Sequence, residues 1–240
     1  MNITKMMDRV LFTLSVPKCV CCKSRLNYGE KALCRKCYSD FSDFKTRNCS
    51  ICGKTLNECD CSNEFLSAHY IKRVVKCYRY LSRDELSPAN SLIYSLKKDN
   101  RSDVLEICAN ELSTAISNCI SDPENYIITN VPRRRAAIVE YGIDHSALLA
   151  KALAKRFGTE YKAILVSKAK RAQKSLETDE RFKNADFYFC RDIDLSGKKV
   201  IIVDDIITTG ASMGKAAAMI RSLGSKEIIG AALAIAYKDK

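Results

Sequence analysis

Residues 200–212 read Val200-Ile201-Ile202-Val203-Asp204-Asp205-Ile206-Ile207-Thr208-Thr209-Gly210-Ala211-Ser212. The apolar run Lys199 to Val203 is the strongest strand signal in the chain, and the residues from about Ser212 to Leu223 predict a helix stopped by Gly224. A strand that delivers two adjacent carboxylates and turns through small, hydroxyl-bearing residues into a helix has its working edge at the strand's C-terminal end. Thr208, Thr209, Gly210, Ala211 and Ser212 can offer hydroxyls and backbone N–H groups to a phosphate monoester, with Gly210 letting the backbone come close and the helix N-terminus adding partial positive charge. Asp204 and Asp205 suit the two hydroxyls of a ribose ring, as acceptors. The combination describes a sugar phosphate better than a nucleoside triphosphate, since neither G-x-x-x-x-G-K-[ST] nor G-x-G-x-x-G occurs.

Outward from this stretch, strands and helices alternate. Ile228 to Ile235 predicts a further strand, Ala163 to Val166 another, and Tyr126 to Val131 a buried strand that stops at Pro132. His145 to Phe157 and Asp103 to Cys119 repeat apolar residues at helical spacing, and Ser87 to Lys98 opens with a capping serine and an early proline. Ala68 to Ser82 alternates in part and predicts a hairpin or strand pair. The class expected is α/β: a mainly parallel sheet with flanking helices, behind a small N-terminal metal module. Thr129 to Arg134 falls at a strand end, where Arg133 and Arg134 can hold phosphate oxygens through forked hydrogen bonds.

The module is read from cysteine. Nine of the thirteen cysteines lie between Cys19 and Cys61, as Cys19-x-x-Cys22, Cys34-x-x-Cys37, Cys49-x-x-Cys52 and Cys59-x-Cys61, with Cys21 to spare. Each pair can converge on one ion, and two pairs complete a tetrahedral shell. Taken in order, Cys19, Cys22, Cys34 and Cys37 hold one ion and Cys49, Cys52, Cys59 and Cys61 a second; a cross-braced arrangement and an iron–sulfur cluster use the same residues. Zinc in a structural role is the first reading, because every position would be filled by protein. Cys77, Cys108, Cys119 and Cys190 stand alone in apolar settings and are expected in the core. The expected division is 1–66 for the metal module with a lead-in helix, and 67–240 for the sheet domain.

A chain of 240 residues that is 47% apolar can bury such a core, and no apolar run approaches the roughly 20 residues that span a bilayer. Asp8 and Arg9 interrupt the N-terminal apolar stretch and no small-residue cleavage site follows, so a cytoplasmic protein without membrane insertion is expected. The net charge of +12 favours anionic partners without choosing among them.

Residues 200–212 resemble the phosphoribosyl pyrophosphate signature of type I phosphoribosyltransferases. The order of parts is similar to the ComF family of competence-associated proteins: a double zinc ribbon, a patch seen as Leu92 to Lys97, the stretch Val131 to Gly158, then Gln173, Leu176, Arg181, Asn184 and Phe187, and the phosphate signature. It departs at Tyr141-Gly142-Ile143-Asp144-His145, where relatives more often read Arg-Gly-Phe-Asn-Gln, and no base or partner contact is carried over from that loop. The resemblance implies that Asp204 and Asp205 bind ribose hydroxyls, that Thr208 to Ser212 bind the 5-phosphate, and that Mg2+ accompanies the pyrophosphate. It further implies phosphoribosyl transfer linked to DNA uptake, or a non-catalytic accessory that senses the sugar phosphate and binds single-stranded DNA or DNA-uptake proteins. No acceptor site emerges, so no catalytic residue is assigned. The charged segment Lys168 to Lys183, between two strands, is expected to act as a lid.

Overall fold

The computed structural model describes residues 17–45, 48–49, 51–55, 58–62, 64–71, 73–80, 87–167, 187–190 and 193–236. The lead-in segment, the Lys168 to Lys183 segment, and Gln173, Leu176, Arg181 and Asn184 lie outside them.

Four parallel strands form the central sheet: β1 (Val74–Arg79), β2 (Tyr126–Asn130), β5 (Lys199–Ile207) and β6 (Glu227–Ile235), in the order β1-β6-β5-β2. Beyond β2, Ile128 N donates to Glu160 O and Lys162 N to Ile128 O, so a short parallel stretch around Tyr161 extends the edge. β3 (Leu165–Ser167) and β4 (Phe187–Phe189) form a separate antiparallel pair. The strand expected at Ala163 to Val166 therefore begins two residues later, ends one residue later, and lies outside the parallel sheet. The expected hairpin at Ala68 to Ser82 is also corrected, because within it only β1 is a strand among the described residues, and it pairs with β6. Tyr70, at φ +71°, is part of a turn that closes a short helix, α2 (Glu64–Ala68), before β1 begins.

Apolar residues on both faces of the strands call for cover on both sides, and two cores result. One face packs under α4 (Ser102–Cys119) and α6 (His145–Phe157), burying Leu112, Ile116, Leu149 and Leu153 against Ile201 and Val203. The other packs under α7 (Ala211–Ser222), burying Ala216, Ala217 and Ile220 against Val200 and Ile202. The predicted helices coincide with α3 (Pro88–Lys98), α4, α6 and α7 to within a residue, and Ser87 caps α3 by accepting from Asn90 N. A helix absent from the sequence reading, α1 (Arg35–Lys45), follows the second cysteine pair.

The cysteine-rich region shares the first core. Cys19, Val20, Leu33, Cys37 and Phe41 are buried in one cluster with Tyr78 of β1 and residues of α4. Polar ties reinforce it: Ala32 N donates to Asp103 Oδ2 at 2.8 Å, and Arg101 Nη1 donates to Lys18 O at 2.7 Å. Of the lone cysteines, Cys77 and Cys108 are buried and Cys119 is partly buried. Cys190 is exposed, against expectation, because it lies just past the end of the short β4, where its backbone N donates to Ile164 O.

Candidate functional site

The chain leaves β2 toward Tyr161 on one side of the sheet and leaves β5 toward β6 on the other. Crossovers thus diverge between β2 and β5, and in parallel sheets a crevice opens at such a point beyond the strands' C-terminal ends. Asp204 and Asp205 lie near the C-terminal end of one of these strands, which runs on to Ile207 beyond the Val203 expected from sequence, and the chain leaves the other through Asn130 to Arg134.

Side chains alternate across a strand, so the two acids face opposite layers. Asp205 follows Ile201 and Val203 toward the layer of α3 and α6, where its Oδ2 accepts from Arg133 Nη2 at 2.8 Å and pairs with Lys97 Nζ at 3.1 Å. Its side chain is only 8% exposed. Burial alone would raise its pKa, but Lys97 and Arg133 outweigh that and hold it below the usual range. Asp204, on the α7 side, is partly exposed, and no cation pairs with it among the described residues. Burial first, and the charge of Asp205 second, push its pKa up. The two adjacent acids are thus shifted in opposite directions by their surroundings.

After β5 the chain turns through Thr208, Thr209 and Gly210 into α7. Thr208 is exposed, and Thr209 and Ser212 are partly so, leaving hydroxyls at the rim of the crevice. Gly210 sits at φ +83°, and a Cβ there would meet Leu66 Cγ of α2 at 2.7 Å. One turn on, a Cβ at Gly214 would meet Phe65 Cε1 at 2.9 Å. The glycines therefore serve a left-handed turn and the close seating of α2 against the start of α7.

The loop leaving β2 is held by a hydrogen-bonded frame. Asn130 Nδ2 donates to Ser146 Oγ at 3.2 Å and to Val131 O at 3.1 Å, while Tyr161 Oη donates to Asn130 Oδ1 at 2.9 Å. Asp144 caps α6 by accepting from Ala147 N at 3.1 Å, and its other oxygen accepts weakly from Arg133 N at 3.5 Å. His145 is buried with Nδ1 3.2 Å from Arg133 Nη1, and burial, then Arg133, lower its pKa. Arg134 is the N-terminal cap residue of α5 (Arg135–Tyr141) and bridges Ser167 of β3 through its backbone.

Of the residues expected from sequence, Arg133, Asp204, Asp205 and the Thr208 to Ser212 turn thus converge at one sheet edge. Lys97 was missed there; the signal was its position as the last residue of the patch on α3. Asn130, Asp144 and His145 were missed as well, since nothing in their spacing announces a shared network.

The cysteines form two groups, Cys19, Cys22, Cys34 and Cys37, and Cys49, Cys52, Cys59 and Cys61, in each of which all sulfurs lie within 4.8 Å of one another. The pairs combine in chain order, and the cross-braced alternative is set aside. Cys22 Sγ and Cys34 Sγ are 3.7 Å apart and Cys52 Sγ and Cys59 Sγ 3.5 Å, close to the edge of about 3.8 Å of a sulfur tetrahedron with bonds of about 2.3 Å. Both donor sets fit a tetrahedral thiophilic ion and can hold zinc.

Residues 142–240 match the family described as the phosphoribosyl transferase domain. The match takes in β5, the turn and α7, and leaves out Lys97 and Arg133. A ribose-phosphate pyrophosphokinase of Pyrococcus abyssi is 62% identical over 37 residues, 15% of this chain and 13% of that protein. One from Thermococcus kodakarensis is 57% identical over 37 residues, again 13% of its length, so the chain matches about an eighth of these relatives. Among solved structures, a purine phosphoribosyltransferase from Pyrococcus horikoshii Ot3 shows 20% identity and a TM-score of 0.37, covering 55% of this chain and 73% of that one. An adenine phosphoribosyltransferase from Thermoanaerobacter pseudethanolicus shows 17% identity and a TM-score of 0.39, covering 64% and 86%. No helix among the described residues is long and apolar enough to cross a membrane.

Proposed function

We propose that the crevice between β2 and β5 binds phosphoribosyl pyrophosphate, and that the chain is a ComF-like phosphoribosyltransferase carrying two structural zinc ions. The observation that carries this is the meeting of the Asp204-Asp205 strand end, the Thr208 to Ser212 turn and the Arg133 loop at one sheet edge, within or beside the matched phosphoribosyl transferase domain. In this reading Thr208, Thr209, Gly210, Ala211 and Ser212 wrap the 5-phosphate at the start of α7, where the first N–H groups have no carbonyl within the helix to bond. Asp204 and Asp205 accept from the ribose hydroxyls, and Arg133 and Arg134 face the pyrophosphate.

The acidic strand end suits Mg2+, a hard cation that keeps water and takes most of its ligands from the pyrophosphate. Mg2+ would supply charge neutralisation of the leaving group. Transfer passes through an oxocarbenium-like sugar, so the protein's part is to fix the ribose and receive departing negative charge on Arg133 and Lys97. In the same reading the division near residue 66 follows from where the paired cysteines end, a reducing cytoplasmic setting from the clustered thiolates, and a role in DNA uptake from the resemblance to the ComF family. Calorimetric titration with phosphoribosyl pyrophosphate, with and without Mg2+, tests binding, and pyrophosphate release on adding candidate acceptors tests transfer. Absence of heat at millimolar ligand would remove the reading.

A further inference from the structure

Lys76, in the middle of β1, is fully buried. Its ammonium donates to Cys61 O at 2.8 Å and to Cys59 O at 3.4 Å. No carboxylate of the described residues pairs with it; the nearest acid on that loop, Asp60, instead pairs with Arg73 Nε at 3.1 Å. A buried ammonium is tolerated only where an anion or a full set of acceptors compensates it, and two carbonyl dipoles compensate it in part.

The missing negative charge is available next door. Cys49, Cys52, Cys59 and Cys61 converge within 4.8 Å, and four thiolates around one divalent ion outweigh its charge and leave a dianion. We propose that Lys76 is the counter-charge of this second metal centre, a positioning residue by which the central sheet retains the metal. The inference rests on the zinc reading given above. The docking is structural as well as electrostatic, for Val74 N donates to Asp60 O at 3.1 Å, tying the Cys59–Cys61 knuckle to the start of β1. The cations beside the first centre differ from it: Arg101, which donates to Lys18 O next to Cys19, is partly exposed and already paired with Asp103 at 2.7 Å, and Lys23 is exposed and donates to Val20 O at 2.9 Å. Removing the buried charge should therefore act on one centre and spare the other.

Each centre has one exposed cysteine, Cys22 in the first and Cys52 in the second, and alkylation of these thiols reports metal loss site by site. The test begins with zinc content of the wild-type protein, because fewer than two ions would defeat the zinc reading itself. Wild-type, Lys76→Met and Lys76→Gln proteins are then challenged with a chelator in the presence of iodoacetamide, and peptides are quantified by mass spectrometry. Outer partners of metal ligands typically govern affinity by about 10–100-fold. The expectation is Cys52 modified at least about tenfold faster in both variants, with Cys22 unchanged. Methionine fits a buried site without charge, and glutamine keeps a donor for the two carbonyls. Wild-type protection of Cys52 in either variant would overturn the proposal, as would equal acceleration at Cys22 and Cys52.

Discussion

Arg133 Nη2 lies 2.8 Å from Asp205 Oδ2, and that contact joins the C-terminal ends of β2 and β5. With Lys97 on the same carboxylate oxygen, Asp205 closes a three-residue charge cluster. Asp205→Ala leaves two cations facing each other in a largely buried site, and the expected loss is about 2–4 kcal/mol, below the full value for a buried pair because Lys97 is 28% exposed. Asp204→Ala removes a partly exposed acid that no cation of the described residues pairs with, and should change stability by less than about 1 kcal/mol. Chemical denaturation of the two single variants checks the difference.

The raised pKa of Asp204 has a definite sign. A carboxyl whose folded-state pKa exceeds its unfolded value stabilises fully below the unfolded value, about 4, and that contribution is lost as pH rises through the folded value. Asp204→Asn should therefore melt higher than wild type at neutral and alkaline pH, by about 2–4 °C for each 1 kcal/mol relieved, and the advantage should vanish near pH 4. Melting curves of ligand-free protein across that range measure it.

Gly210→Ala forces a side chain into a left-handed backbone and against Leu66. The backbone strain is worth about 1 kcal/mol and the contact adds to it. Leu66→Ala should relieve the steric part, so a double-mutant cycle between the two positions is expected to show a coupling above about 0.5 kcal/mol. Additive effects would show that α2 is not seated on the turn.

Cys34→Ser should weaken the whole protein, because Cys19, Cys37 and Leu33 share a core with α4 and β1. A loss of about 3 kcal/mol would lower Tm by about 6–12 °C in a single transition. A separate early transition, with the sheet melting at its wild-type temperature, would show the module to be independent. Zinc content should fall from two ions per chain to one.

Much of this was legible from local pattern. β5, β6, α6 and α7 announce themselves because continuous apolar runs and helical periodicity match a sheet covered on both faces. The in-order pairing of cysteines required the fold, since spacing allows either arrangement. So did the inequality of Asp204 and Asp205: neighbours in sequence face opposite layers, and only packing decides that one meets Lys97 and Arg133, from distant parts of the chain. Lys76 reads as an ordinary alternating strand residue until the Cys59–Cys61 loop is laid against it.

The sugar-phosphate site is tested most directly through Asp204, which forms no ion pair among the described residues. Above the raised pKa of Asp204, where the carboxyl is ionised, its charge-assisted hydrogen bonds to the ribose are worth about 1.5–3 kcal/mol each, so at alkaline pH Asp204→Ala should bind phosphoribosyl pyrophosphate at least about tenfold more weakly. The measurement is calorimetric titration of wild-type and Asp204→Ala protein with that ligand in Mg2+, each confirmed folded by its melting curve. The account predicts wild-type binding and a tenfold or greater loss in a variant of undiminished Tm. Equal affinity in the two proteins would contradict it.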